Sequence, residues 1–143
     1  MASPERSPRS DLFISYASRD RERVAAIVAR VESAGVRCWF DRDRIDGGTA
    51  WAERIVRGIR GSRLLLLACS GASMRSRAVR QEVQLAWKYG LPYLPILLEP
   101  TEFPEQLEFF LEGTQYVEVL DHPEGVWAGS LMRALEAAGL AAA

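Results

Sequence analysis

The chain has 143 residues, a formal net charge of −1, 48% apolar and 26% charged residues. That length suits one domain with an adequate core, and the fractions are those of an ordinary globule. Balanced acids and bases exclude strong attraction to a polyanion, so no nucleic-acid partner is expected. Cys38 and Cys69 lie far apart without companion Cys or clustered His. This excludes a disulfide framework or a metal cluster and suits a reduced, cytoplasmic protein. No run reaches the roughly 18 apolar residues of a membrane span, and the N-terminus has no apolar signal core, so no membrane association is expected.

Residues 1–10, rich in Pro, Ser and Arg, hold too few apolar groups to order themselves and read as a tail. Residues 11–16 (DLFISY) form a short apolar strand. Ser18 then reads as the N-cap of a helix with Asp20 and Glu22 in its first turn. Val24, Ile27, Val28 and Val31 make its apolar stripe, and Gly35 ends it. Residues 36–40 (VRCWF) make the second strand. The polar loop 41–48 (DRDRIDGG) leads to Thr49 as the next N-cap, followed by a helix with Trp51, Ile55 and Ile59 on one stripe. The continuous run 64–69 (LLLLAC) is that of a strand buried on both faces. A small-residue loop follows, then a helix whose core stripe is Val79, Val83, Ala86 and Trp87, stopping at Gly90. Residues 93–98 form strand four, with Pro95 marking a distortion of the ladder. A short helix over 105–111, a more exposed fifth strand over 115–120 and a last helix marked by Trp127, Leu131 and Leu135 complete a domain spanning 11–138. Residues 139–143 read as a C-terminal tail.

Strands alternating with helices at this spacing imply right-handed crossovers and a three-layer α/β fold, a parallel sheet with helices on both faces. Five strands in so short a chain suggest the flavodoxin-like order 2-1-3-4-5, with its switch point between strands one and three. Ligands of such sheets bind beyond the carboxyl ends of those strands. There the chain places Tyr16, Ala17 and Ser18 after strand one and the loop 70–76 after strand three. Glu82 lies early in the helix that leaves the second loop. Its neighbours at helical spacing are Ala78, Val79, Leu85 and Ala86, so no base on its own helix pairs with it. A carboxylate among apolar groups is poorly solvated and a functional candidate. On spacing alone, a solvated helix glutamate is an equal reading.

Together these residues resemble a TIR (Toll/interleukin-1 receptor) domain over residues 11–138. DLFISYAS at 11–18 is similar to the family's first box, and CWFDRDRIDGG at 38–48 to its second, whose loop is usually called BB. The stretch from Ser73 through Ser76 to Glu82 resembles the segment holding the catalytic glutamate in members that cleave NAD. The resemblance implies a bacterial-type, NAD-cleaving TIR domain with Glu82 as catalytic carboxylate. It implies Tyr16, Ala17, Ser18, Asp46, Gly48 and Trp51 as substrate-binding residues, and NAD+ as substrate with no cofactor or metal. It also implies other TIR domains as partners, through the BB loop in a homo-oligomer or filament, and an effector role in bacterial anti-phage signalling. Family members often carry Trp four residues and Cys three residues before the glutamate, where this chain has Ala78 and Val79. Trp51 is the candidate to supply the missing aromatic surface.

Each of these residues has a plainer reading as well. Ser18 suits a helix cap, Asp46-Gly47-Gly48 a turn and Trp51 the core, as do Trp87 and Trp127. Arg75, Arg77 and Arg80 suit either a basic lip for a pyrophosphate or a solvated face. His122, the only histidine, stands alone in a late loop, which excludes a Ser-His-Asp or Cys-His site. Cleavage of the nicotinamide–ribose bond releases a neutral pyridine, so one carboxylate suffices where ordinary glycosidases use two. The competing reading is a non-catalytic TIR interaction module, favoured by Ala78. A phosphoacceptor receiver on the same strand order is disfavoured, because Ser70-Gly71 stands where its acceptor Asp belongs.

Overall fold

The computed structural model describes residues 10–40 and 49–140. The run LLLLAC becomes β3 (Leu64–Cys69), buried along its whole length at the centre of a five-stranded parallel sheet. It lies between β1 (Leu12–Ser15) and β4 (Tyr93–Leu97), while β2 (Cys38–Trp39) and β5 (Val117–Glu118) form the edges, giving the order β2-β1-β3-β4-β5. Leu12 pairs with Leu64 and Ser15 with Leu67, so β1 ends just short of the carboxyl end of β3.

Alternation along the strands sorts side chains onto two helical layers. Leu12, Ile14, Leu64, Leu66 and Ala68 pack with Val24, Ile27, Val28 and Val31 of α1 (Arg21–Glu32) and with Trp127, Leu131 and Leu135 of α6 (Glu124–Ala137). On the other face, Phe13, Leu65, Leu67 and Cys69 meet three helices. These are α2 (Thr49–Arg60), α4 (Arg77–Lys88) and α5 (Glu105–Leu111). They contribute Ile55 and Ile59, Val79, Val83 and Ala86, and Leu107 and Leu111 respectively. Helix α4 packs on both α2 and α5 and so lies between them. Each fully buried leucine contributes about 1.5–3 kcal/mol relative to exposure, which is how one short apolar run anchors the sheet. Gly35 and Gly90 turn the chain out of α1 and α4 at φ +90° and +74°, a region open to glycine.

Several expectations are corrected. Ser18 caps no helix: Ser18–Asp20 form a single 3-10 turn closed by the Asp20 N–H on the Ala17 carbonyl (2.8 Å), and α1 begins at Arg21. Thr49 is the first helical residue of α2. Trp87 is not core but 57% exposed, because Ala86 completes the buried stripe in the last turn of α4. Its ring lies instead against Phe109 and Phe110. Pro95 breaks no ladder. The Val119 N–H donates to the Leu97 carbonyl, so Leu97 and, by alternation, Pro95 face β5, and pairing with β5 starts only at Ile96.

Cys38 and Cys69 are free thiols on β2 and β3, with β1 between them. Burial pushes both up to about 12, helped for Cys38 by the Glu32 and Asp11 charges. The Tyr93 hydroxyl, which donates to the Val83 carbonyl at 2.8 Å, is likewise raised by burial to about 12. In the unfolded chain these groups release their protons near 9 and 10, so between pH 9 and 12 the folded state holds more protons than the unfolded one. Their contribution is full below pH 9 and is lost as pH rises towards 12. The urea midpoint is expected to be lower at about pH 11 than at about pH 8, and a Cys69→Val variant to lose part of that dependence.

Candidate functional site

Ser15 is the last residue of β1 and shares a sheet face with Phe13, so its side chain is directed at α4. On α4 the buried residues are Val79, Glu82, Val83 and Ala86, a helical stripe into which one carboxylate is set. The two meet: Ser15 Oγ donates to Glu82 Oε1 at 2.7 Å, with Ser15 0% and Glu82 2% exposed. A hydrogen bond to a charged group contributes about 1.5–3 kcal/mol, and here it also orients the acid.

The opposite wall grows from the end of β3. Ser70 opens the single-turn helix α3 (Gly71–Met74) through a capping box: Ser73 N–H donates to Ser70 Oγ (3.1 Å) and Ser70 N–H to Ser73 Oγ (2.8 Å). Ser70 Oγ in turn donates to Asp20 Oδ2 at 2.6 Å. The loops after β1 and β3 are thereby joined across the switch point, where ligands of such sheets bind. Ser76 accepts from Val79 N–H at 3.2 Å and sets the start of α4. Farther along the rim, Gly71 N–H donates to Glu99 Oε2 at 2.8 Å beside a cleft of about 360 Å³ lined by Gly71, Met74, Arg75, Glu99 and Phe103.

Of the residues singled out from sequence, Tyr16 and Ala17 lie at the rim next to Ser15 but are 1% and 8% exposed. The Tyr16 ring sits 5.1 Å from that of Phe40 in the α1–α6 layer, on the sheet face away from Ser15 and Glu82. Ser18 is exposed at the same rim. Trp51 is half-buried on α2 and packs against the core of that layer. Asp46 and Gly48 lie outside the described residues. Arg75 and Arg77 are exposed, and Arg80 is half-buried. Sequence reasoning missed Ser15, Asp20 and the pairing of Ser70 with Ser73. The signal for Ser15, a hydroxyl on the inward face of an otherwise apolar strand, becomes readable only with the strand's register. Among the described residues no group of His, Cys, Asp or Glu is placed to hold a metal ion. With thiols raised to about 12, neither cysteine is a nucleophile at neutral pH.

The family model for TIR domains matches residues 12–135. The 2′ cyclic ADP-D-ribose synthase AbTIR of Acinetobacter baumannii is 36% identical over 61 residues, 42% of this chain. The match spans only 23% of that relative's length. Among solved structures, the TIR domain of the Toll-related receptor TRR-2 from Hydra magnipapillata superposes with a TM-score of 0.72 at 26% identity, covering 89% of this chain and 98% of that one. The CMP N-glycosidase BcmB of Clostridium botulinum shares the fold, with a TM-score of 0.64 at 13% identity over 87% of this chain and 99% of that one.

Removing the Ser15 hydroxyl takes a donor from a buried carboxylate. Ser15→Ala is expected to cost about 1–3 kcal/mol in urea unfolding, whereas Ser18→Ala at the exposed rim stays within about 0.5 kcal/mol. Equal effects of the two would show that the Glu82 bond carries no stability.

Proposed function

The chain belongs to the TIR domain family, and from that premise we propose that it cleaves the nicotinamide–ribose bond of NAD+, with Glu82 as the catalytic carboxylate. The observation that carries this reading is the Ser15–Glu82 pair, an acid held at the carboxyl rim of β1 beside the switch point. The match to AbTIR, whose name is that of a 2′ cyclic ADP-D-ribose synthase, supports the same chemistry.

When the glycosidic bond breaks, the electron pair goes to the positively charged pyridinium nitrogen and neutral nicotinamide leaves without a proton. Positive charge develops on the ribose carbon and ring oxygen. Glu82, accepting from ribose hydroxyls, stabilises that charge electrostatically. Water, or a hydroxyl of the same ADP-ribose, then adds to the ribose carbon and gives up one proton, yielding ADP-ribose or a cyclic isomer. Each charge-assisted contact of about 1.5–3 kcal/mol corresponds to roughly ten- to a hundredfold in rate. Ser18 and Trp51, with Asp46 and Gly48, complete the proposed substrate contacts. With Glu82 only 2% exposed, ribose reaches it once rim residues part. Self-association through the BB loop supplies that change, making the protein a self-association-triggered effector of bacterial anti-phage defence in the cytoplasm.

That same burial of Glu82, with Ala78 at the position where family members often carry Trp, favours a second reading, a non-catalytic module that docks TIR domains. One assay separates the two. Concentrated wild type incubated with NAD+ is expected to release nicotinamide, Glu82→Gln to lose about a hundredfold or more in rate while unfolding normally. Specific activity is expected to rise with protein concentration, and Trp51→Ala to raise KM. No nicotinamide from wild type at any concentration establishes the docking module. Activity that survives in Glu82→Gln removes the carboxylate from the chemistry.

A further inference from the structure

The amino-terminal side of the sheet holds a cavity at the end of the domain away from Ser15 and Glu82. Its volume is about 660 Å³, and Leu64 and Tyr93, the first residues of β3 and β4, line it. Small-molecule sites span about 300–1,000 Å³, so the space is of ligand size.

The lining explains why the space is left empty by the fold. Trp87 from the last turn of α4 and Phe110 from α5 supply rings, with centroids 5.6 Å apart. The contribution of the last helix is small by contrast. Ala134, Ala137 and Ala138 recur at spacings of three and four, so they share one face of the end of α6 and project only methyl groups. The turn from α4 to β4 adds no filler either: Gly90, at φ +74°, has open space where a Cβ would stand.

Polar groups are few, and two are already engaged within the fold. The Tyr93 hydroxyl donates to the Val83 carbonyl at 2.8 Å, and Thr114 Oγ1 donates to the Leu111 carbonyl at 2.7 Å. The Trp87 indole N–H and the amide of exposed Gln115 remain to orient a guest. Among the described residues, no Asp, Glu, Lys, Arg or His lines the cavity. An ion entering it would lose water without gaining a counter-charge, whereas a flat ring gains stacking on indole and phenyl faces.

We propose that this cavity is a binding site for an uncharged molecule of two or three aromatic rings. A docked peptide would bring a row of backbone N–H and C=O groups that need partners, and the two remaining polar side chains cannot satisfy them. NAD+ is likewise unsuited, because its phosphates are charged. The site is therefore separate from the one at Glu82, and it stands whether or not that carboxylate cleaves NAD+.

Fluorescence titration of the full chain tests it with two dyes that share a skeleton. N-phenyl-1-naphthylamine is uncharged and brightens in apolar surroundings; 1-anilinonaphthalene-8-sulfonate adds one anionic group. The uncharged dye is expected to saturate at one molecule per chain and to bind at least about tenfold more tightly than the sulfonate. Trp87→Ala, which removes a wall, and Ala137→Phe, which fills the space from α6, should each weaken the uncharged dye at least about tenfold. Phe109→Ala, whose ring belongs to the exposed aromatic cluster but does not line the cavity, should retain it. Circular dichroism checks that these variants keep the fold. Binding that does not saturate, equal affinity for the sulfonate, cavity variants that bind like wild type, or an equal loss in Phe109→Ala would each overturn the proposal.

Discussion

A single hydrogen bond between the end of a strand and the second turn of a helix organises the carboxyl rim of the sheet in this molecule. Ser15 Oγ and Glu82 Oε1 are 2.7 Å apart in a site where the acid is 2% exposed. A carboxylate there would be costly without donors, because burial disfavours its charged form. Everything that places Ser15 therefore also places the acid. Phe13, one alternation earlier, sets the strand's inward face. β3 fixes the register of β1, and the Ser76 cap fixes where α4 begins. The Asp20–Ser70 bond does the same for the loops, so that the rim on both sides of the switch point is held by buried or half-buried polar pairs in an otherwise apolar core.

Much of the fold was legible because its signals were local and strong. The run LLLLAC could only be a doubly buried strand, and Val24, Ile27, Val28 and Val31 could only be one face of a helix. Strands alternating with helices and right-handed crossovers then left few topologies, and the structure has the flavodoxin-like one, β2-β1-β3-β4-β5. What was not legible depended on partners distant in sequence. Asp20 and Glu22 near Ser18 look like a capped first turn. The 3-10 turn that displaces the cap is favoured instead by Asp20 reaching Ser70, 50 residues on. Trp87 fits the helical stripe of Val79 and Val83, but periodicity cannot say that α5 brings two phenylalanines beside its exposed face.

The candidate site divides along the same line. Glu82 was legible because its helical neighbours are apolar, and the structure answers the ambiguity between a solvated and a buried glutamate in favour of burial. Ser15 was not, since a serine in a short strand is equally a surface residue until its register is known. Its partner lies 67 residues away. Tyr16 and Ala17 follow Ser15 at the end of β1 but are almost fully buried, whereas Ser18 is exposed at the same rim.

The same helical layer joins the buried site to the exposed surfaces. α4 carries Glu82 on its inward stripe and Trp87 in its last turn, and it packs on α2 and α5. Ile55 and Ile59 of α2 share a core cluster with Val79 and Val83 of α4, residues that flank Glu82 in the stripe. Close-packed interiors transmit displacement, so a load on the outer face of α2 or α5 reaches α4 through these contacts. The Ser15 bond resists it from the sheet side, because β1 is paired on both edges and has little freedom to follow. The Ser15–Glu82 hydrogen bond links the strand's end to that helix beside the apolar packing of Phe13 against Val79 and Val83.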